Sequence, residues 1–276
     1  VTVLDPTCGS GAFLFAALNI LAPIYEACLD RMEEFVHQAE AAGSKKYPDL
    51  RAVLDRIRQH PNRAYFICKT IIVNNLYGVD IMDEAVEICK LRLFLKLVAQ
   101  VEPGQEIEPL PDIDFNVRAG NTLVGFVRLD EVQHALTTEP SGQMLLLDAE
   151  AERQLRRIAE EAEIAARAYD EFHRQQVLGK GAITARDKAD LRARLGRLNE
   201  ELNRTLARQY GVDPDALSYA PWLASHKPFH WLVDFYGIMQ QGGFDVIIGN
   251  PPYVVYSRAK VPYQLEPQGF TTYRTG

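Results

Sequence analysis

The spacing of apolar residues changes rhythm along this chain, and each change marks an element. Val1-Thr2-Val3-Leu4-Asp5 is a β-branched, apolar run that predicts a first strand. A glycine-rich turn follows, and residues 12–21 take up helical spacing. Helical patterning continues over residues 23–75, where Pro23, Pro48 and Pro61 each mark an expected helix start, because proline is tolerated in a first turn. Leu76-Tyr77-Gly78-Val79-Asp80 predicts a second strand, and residues 81–100 an amphipathic helix with Asp83 as its N-cap. Residues 115–123 read as a third strand ending in a polar turn.

Residues 148–210 read as a helical hairpin. One arm spans residues 148–178, Gly179-Lys180-Gly181 breaks it, and Thr184 with Asp187 resembles the capping pair of a second arm. Leu191, Leu195, Leu198, Leu202 and Leu206 recur at three- and four-residue steps, the seam of an antiparallel pair. Arg192, Arg194, Arg197, Arg204 and Arg208 are expected to face water, so the hairpin reads as a solvated arm. Residues 221–241 carry Trp222, Phe229, Trp231, Phe235 and Tyr236 and read as one buried helix. Gly242-Gly243 then leads into a fourth strand. Phe244, Val246, Ile247 and Ile248 make that strand apolar except at Asp245, so it is expected to be buried. Residues 254–276 look loop-like. Strands alternating with helices give an α/β fold with a parallel sheet.

Composition changes this picture little. The 276 residues are 47% hydrophobic and 24% charged, ordinary for a globular chain, and no apolar run stands out as a membrane span. Cys8, Cys28, Cys68 and Cys89 are widely spaced with no Cys-x-x-Cys pair, which argues for reduced thiols, a cytoplasmic setting and no structural zinc. His226 and His230 are four apart, but Pro228 lies between them and no third ligand is near, so they are expected to be core or surface histidines rather than a metal site. The formal charge is −7, yet residues 151–210 hold 13 Lys/Arg against 10 Asp/Glu, so net charge decides nothing about a nucleic-acid partner.

Candidate chemistry sits where strands end. Asp5-Pro6-Thr7-Cys8-Gly9-Ser10-Gly11 is a strand tip, a glycine loop and a helix start, the opening of a nucleotide-binding unit. Its Asp-x-x-x-Gly-x-Gly spacing is not the dinucleotide pattern, so NAD is not the natural ligand. Asp80 ends the second strand, where an acid accepts hydrogen bonds from ribose hydroxyls or caps the next helix. Asn121 is placed either to meet a base edge or to shape a turn. Asn250-Pro251-Pro252-Tyr253 ends the fourth strand abruptly, because two prolines donate no amide hydrogen and stiffen their neighbours. A rigid amide, outward carbonyls and an aromatic plane suit gripping a flat ring that bears an amino group.

Together these stretches resemble the N6-adenine DNA methyltransferases, in particular the large, type IIG-like ones of restriction–modification and phage-defence systems. Asp5-Pro6-Thr7-Cys8-Gly9-Ser10-Gly11-Ala12-Phe13 is similar to that family's S-adenosylmethionine motif, and Asn250-Pro251-Pro252-Tyr253 to its catalytic motif. Phe229-His230-Trp231 through Gly249 resembles the helix and strand that lead into it. The resemblance implies a Rossmann-like methyltransferase sheet in the order 3-2-1-4, carrying the hairpin 148–210 as an insertion within a partial catalytic domain 1–276. It implies that Asp5 with Pro6, Thr7, Cys8, Gly9, Ser10 and Gly11 holds the methionine part of S-adenosylmethionine, that Asp80 binds the ribose, and that Ile81 and Asn121 frame the adenine. The family often has an acid where Asn121 stands. Asn250 and Pro251 would accept the hydrogens of an adenine amine, with Pro252 stiffening the loop and Tyr253 stacking on a base flipped out of double-stranded DNA.

Two other readings stay open. Protein-glutamine, RNA-guanine and cytosine-N4 methyltransferases share the Asn-Pro-Pro-Tyr chemistry, and a non-catalytic assembly module would keep these motifs as scaffold. The chain starts inside a strand without Met, and a complete family member has an upstream segment, further strands and a recognition domain. It is therefore expected to be a fragment that binds cofactor weakly and methylates little, with restriction or specificity partner domains lying outside it.

Overall fold

A computed structural model of the chain describes residues 1–60, 62–102, 104, 110–138, 149–178 and 185–251. Among the described residues, four short strands form one sheet: β1 (Val3–Asp5), β2 (Leu76–Asp80), β3 (Val117–Ala119) and β4 (Val246–Ile247). Their spatial order is β3-β2-β1-β4, matching the expected order. Every pairing is parallel, with Val3 opposite Leu76 and Val246, and Gly78 opposite Val117. Parallel neighbours require crossover connections, so all four C-terminal tips share one rim. The chain steps outward from β1 to β2 and β3, then returns to lay β4 on the far side of β1. Ligands of open α/β sheets bind where the order reverses in this way.

One face of the sheet is covered by α1 (Ala12–Ala41), α3 (Arg63–Asn74) and α4 (Asp83–Val98), which bury Leu14, Leu18, Ile71, Ile72, Leu93 and Leu97 against Val3 and Leu76. The opposite face carries Leu4, Tyr77 and Val79, covered by Phe229 and Phe235. Neighbouring residues of a strand thus enter different cores, the period-two rule of an extended chain. α2 (Pro48–Gln59) starts at its proline as expected, with Pro48 in the first turn. Asn62 caps α3 by accepting the Tyr65 N–H at 2.9 Å.

Several expectations are corrected. α1 does not begin at Pro23 but runs through it. Just beyond the proline, Glu26 and Asp30 are held at 2.8 Å by Arg63 of α3, and Glu33 at 3.6 Å, which fastens this face of the helix. At 30 residues, α1 is long and apolar enough by length and composition to cross a membrane, contrary to the sequence expectation. Its Leu14, Leu18, Leu29 and Val36 are buried within the fold, while Ile20 and Ile24 are exposed. Asp83 is not the N-cap of α4; Met82 holds that position without a side-chain cap. Pro61, Gly179-Lys180-Gly181 and Thr184 lie outside the described residues.

α6 (Ala149–Leu178) and α7 (Ala185–Gln209) run antiparallel, since Arg194 reaches back to Glu161 at 2.7 Å and Arg157 pairs with Glu201. They are not a solvated arm. Leu191, Leu195, Leu198, Leu202 and Leu206 are buried in a second core with Phe115, Trp222, Leu232 and Val132 of α5 (Leu129–Thr137). Three of the arginines are also engaged, Arg192 with Asp114, Arg194 with Glu161 and Arg204 with Asp215. The single helix expected over residues 221–241 is instead α8 (Tyr219–His226), α9 (Trp231–Asp234) and α10 (Tyr236–Gln240). Lys227 adopts a left-handed conformation, φ +44°, and Pro228 then prevents continuation. β4 is exposed rather than buried, with Ile247 at 65%, because it forms the edge of the described sheet.

Candidate functional site

The turn from β1 into α1 is a tight backbone loop fixed from two sides. Thr7 N–H donates to Asp5 Oδ1 at 3.1 Å, Cys8 N–H to the Val79 carbonyl at 2.9 Å, and Gly11 N–H to the Cys8 carbonyl at 2.7 Å. Gly9 and Gly11 have φ of +50° and +82°, conformations that favour glycine. Arg92 of α4 donates to the Ser10 carbonyl at 2.7 Å and to its Oγ at 3.1 Å, so Ser10 is tied to α4. The Cys8 side chain turns into the core, where the neighbouring Cys89 thiol and burial push its own thiol far up. Only the backbone of Cys8 belongs to the rim.

Asp80 joins this loop to the next. Its Oδ2 accepts the Gly9 N–H at 2.8 Å and its Oδ1 the Met82 N–H at 2.9 Å. Asp80 therefore does shape the entry to α4, the part expected of Asp83, while holding the glycine loop. Each carboxylate oxygen can accept a second hydrogen bond, so capacity remains. Asp5 is 1% exposed, and its Oδ2 has no hydrogen-bond partner among the described residues. Burial, and after it the charge of Asp80, raises the Asp5 carboxyl above the usual range. Two carboxylates at adjacent strand tips favour a ligand that brings positive charge or hydrogen-bond donors.

β4 brings the second motif to the same rim. Val246 N–H donates to the Thr2 carbonyl at 3.0 Å and Ile248 N–H to the Leu4 carbonyl at 2.9 Å. Asp245 fastens the start of the pairing by accepting the Thr2 N–H at 2.6 Å. One residue further on, Gly249 lies directly on the first loop. A Cβ there would stand 3.0 Å from Asp5 Oδ1, 3.1 Å from Thr7 Oγ1 and 3.3 Å from Pro6 Cδ. Asn250 and Pro251 follow, both exposed at the rim. Pro252 and Tyr253 lie outside the described residues.

Ile81 is exposed just past the β2 tip. Asn121, past the β3 tip, is buried, and its Oδ1 accepts the Leu123 N–H at 3.1 Å. Its carbonyl is thus committed to a turn, which leaves Nδ2 as a buried donor without a partner among the described residues. Lys227 links both positions, its carbonyl accepting the Asn121 N–H at 2.7 Å and its Nζ donating to the Ile81 carbonyl at 3.0 Å. In the sequence this residue is marked only as a lysine before a proline in an aromatic-rich stretch, too slight a signal to single it out. Beside it lies a cleft of about 290 Å³ lined by Asp83, Ala119, Gly120, Asn203, Leu223, Lys227 and Pro228. His226 and His230 are buried core residues, and no group of three metal-ligating side chains occurs among the described residues.

A glycine loop after the first strand of a parallel sheet, two acidic strand tips and a polar turn thus lie along one rim of an α/β fold. Residues 74–275 match the family model described as Eco57I restriction-modification methylase, and residues 1–109 match MmeI, DNA-methyltransferase domain. The chain belongs to the Eco57I restriction-modification methylase family. A Methanocaldococcus jannaschii protein, named as a type II restriction enzyme and methyltransferase, is 29% identical over 290 aligned residues. That alignment covers 92% of this chain and 22% of the relative, so the chain spans about a fifth of the relative's length. No solved structure matches the chain.

Proposed function

We propose that this chain forms the catalytic part of a DNA adenine-N6 methyltransferase in a restriction–modification or defence system, working in the cytoplasm on double-stranded DNA with S-adenosylmethionine as donor. The observation that carries the reading is the packing of Gly249 on Asp5 and Thr7, which supports a place for Asn250 near the first loop. In this reading the sheet is a Rossmann-like methyltransferase sheet, residues 1–276 belong to a single catalytic domain, and α6 and α7 are a hairpin inserted in it at 148–210.

The rim suits the donor on its own chemistry. Among the described residues, Asp5 Oδ2 is a buried acceptor and Asn121 Nδ2 a buried donor without a hydrogen-bond partner. Asp5 would take the amino group of the methionine part, the Gly9–Gly11 backbone would flank it, and the spare lone pairs of Asp80 would take ribose hydroxyls. Exposed Ile81 would pack on the purine face. With its carbonyl committed to Leu123, Asn121 would donate to a purine ring nitrogen rather than accept from its amine. The donor, when bound, supplies an electrophilic methyl group on a sulfonium.

The target amine is a weak nucleophile because its lone pair is delocalised into the ring. Asn250, through its side-chain carbonyl, and Pro251, through its main-chain carbonyl, would each accept one amine hydrogen and draw the nitrogen towards a tetrahedral shape. Held in this way by Asn250 and Pro251, the nitrogen would take the methyl group the donor supplies as its bond to sulfur breaks, and the displaced proton would pass to water. Positioning is the main catalytic contribution, and no residue of unusual pKa is needed. Tyr253 would stack on the flipped base. Restriction or specificity partner domains would act with it, as the joint restriction and methyltransferase name of the relative suggests.

Asn250→Ala, made in the protein that contains this chain, should lower methyl transfer by about a hundredfold or more while calorimetric S-adenosylmethionine affinity changes less than about twofold. Wild-type activity in the alanine variant overturns the catalytic assignment. Nucleoside analysis of the DNA product should show N6-methyladenine; N4-methylcytosine would refute the choice of base.

A further inference from the structure

We propose that Lys227 is a positioning residue for the purine side of the cofactor pocket, holding the Ile81 and Asn121 turns in register with one another. The inference rests on the methyltransferase reading above and adds to it a residue outside both sequence motifs.

The two turns follow different strands and have no reason of their own to keep a fixed spacing. Lys227 gives them one. Its main-chain carbonyl accepts the Asn121 N–H at 2.7 Å, while its ammonium donates to the Ile81 carbonyl at 3.0 Å and to Asp83 Oδ2 at 2.6 Å. The next residue continues the link, since Pro228 pairs with Asn121 as an isolated parallel bridge. One residue at the end of α8 thus grips both turns, through backbone on one side and side chain on the other.

The backbone of Lys227 supports a role beyond simple packing. At φ +44° it is one of two described non-glycine residues in the left-handed region, at a helix C-terminus where glycine is the natural occupant. The proline that follows disfavours helical geometry at this position further. Such backbone strain persists where the surroundings over-determine it and clusters at ligand sites. Bare stability does not account for the side chain. The Lys227 and Asp83 side chains are 36% and 68% exposed, a setting in which ion pairs add little. What the ammonium does fix is the Ile81 carbonyl, and so the direction in which the exposed Ile81 side chain leaves the β2 tip. The same lysine lines the cleft beside Gly120 and Asn203, so its loss would alter that wall of the rim.

Three variants test this in the protein that contains the chain. Lys227→Met and Lys227→Gly should each weaken S-adenosylmethionine binding about tenfold by calorimetry, raising its KM while kcat at saturating donor and DNA stays unchanged. Lys227→Arg, which keeps a donor within reach of Ile81 and Asp83, should restore affinity to within about threefold. The melting temperature of Lys227→Gly should equal or exceed that of the wild type, because glycine adopts the left-handed conformation freely. Affinity and stability then move apart, which a purely structural lysine would not produce. Wild-type affinity in the Met and Gly variants overturns the proposal, as does a fall in melting temperature without a change in affinity. If the wild type itself binds no S-adenosylmethionine, the methyltransferase reading fails instead, and the two failures are told apart by that first titration.

Discussion

Gly11 and Gly249 are the residues on which the two halves of the rim depend, and they act by different means. Gly249 matters by proximity, since a side chain there would crowd Asp5 Oδ1 and Thr7 Oγ1, which would have to give by a few tenths of an ångström. Gly11 is required twice over. Its φ of +82° disfavours any other residue, and a Cβ there would meet Cys89 Sγ at 2.5 Å. The conformation costs about 1–2 kcal/mol and overlap in a packed core about 1–3 kcal/mol. Gly11→Ala should therefore lower the urea-derived unfolding free energy by about 2–5 kcal/mol. Adding Cys89→Ala, which removes the sulfur the new methyl would strike, should make the double variant less destabilised than the sum of the two singles. Strict additivity would disprove the steric half of this account. At this scale the sequence was legible where chemistry leaves a fixed spelling: Asp5 and the glycine loop stand at the β1 tip, and Gly249, just before Asn250, packs on Asp5 and Thr7. It was less legible where a residue divides its atoms between tasks. Asp80 bonds two turns at once, and Asn121 spends its carbonyl on Leu123 and keeps only its amide. Neither division has a signature in residue order, because the partners lie in other segments or depend on side-chain rotation.

Elements were readable to the degree that their identity is local. β2 occupies the expected residues from Leu76 to Asp80. The misjudged elements are those decided by partners. α1 passes Pro23 while Arg63, from a different helix, binds the carboxylates of the following turns. β4 has a buried strand's composition, yet its exposure depends on what lies beyond it in the sheet. The leucine seam of α7 shows that a face is apolar but not what covers it, and the cover proves to be the second core rather than α6 alone. This yields a contrast between neighbours on the pair. Leu202 is fully buried in that core, so Leu202→Ala should cost about 2–5 kcal/mol in chemical denaturation. Arg157, an exposed partner of Glu201, should cost less than about 1 kcal/mol when changed to alanine. A solvated arm would show small losses at both positions, so a cost below about 1 kcal/mol at Leu202 would bring that reading back.

For the molecule as a whole, the α6–α7 pair is joined to the strand-bearing body at seams that contain buried histidines. His173 of α6 shares a hydrogen bond of 3.0 Å with Asn116, whose amide in turn donates to the Val73 and Leu76 carbonyls beside β2 at 2.8 and 3.1 Å. His230 accepts the Phe126 N–H at 3.1 Å through Nδ1, and its Nε2 meets Asn203 Oδ1 of α7 at 2.9 Å. Burial pushes His173 down to about 4 and His230 down to about 3, so both are neutral in the folded protein well into acid. An unfolded histidine titrates near 6.5. Below that pH the unfolded chain takes up two protons that the native state refuses, and stability falls as pH falls. The window runs from about 6.5 down to the folded values, with a slope of at most about 1.4 kcal/mol per pH unit for each histidine. Asp114 contributes only lower. Burial opposes its charge, but Lys188 and Lys90 hold it down at about 2, so its stabilisation is lost as pH drops from the unfolded carboxylate value towards 2. Asp5 runs the opposite way, since its raised carboxyl is disfavoured as pH rises through its folded pKa, a cost carried at neutral pH. Unfolding free energy measured by urea at successive pH values should therefore drop between pH 6.5 and 4.5 by up to about 5 kcal/mol, approaching a two-proton slope. His173→Gln keeps a hydrogen-bonding side chain but cannot titrate, so it should cut that slope by about one proton whatever it does to stability at pH 7. A stability profile flat across this window would mean that acid reaches these histidines in the native state, and that the seam between α6–α7 and the sheet is open to water.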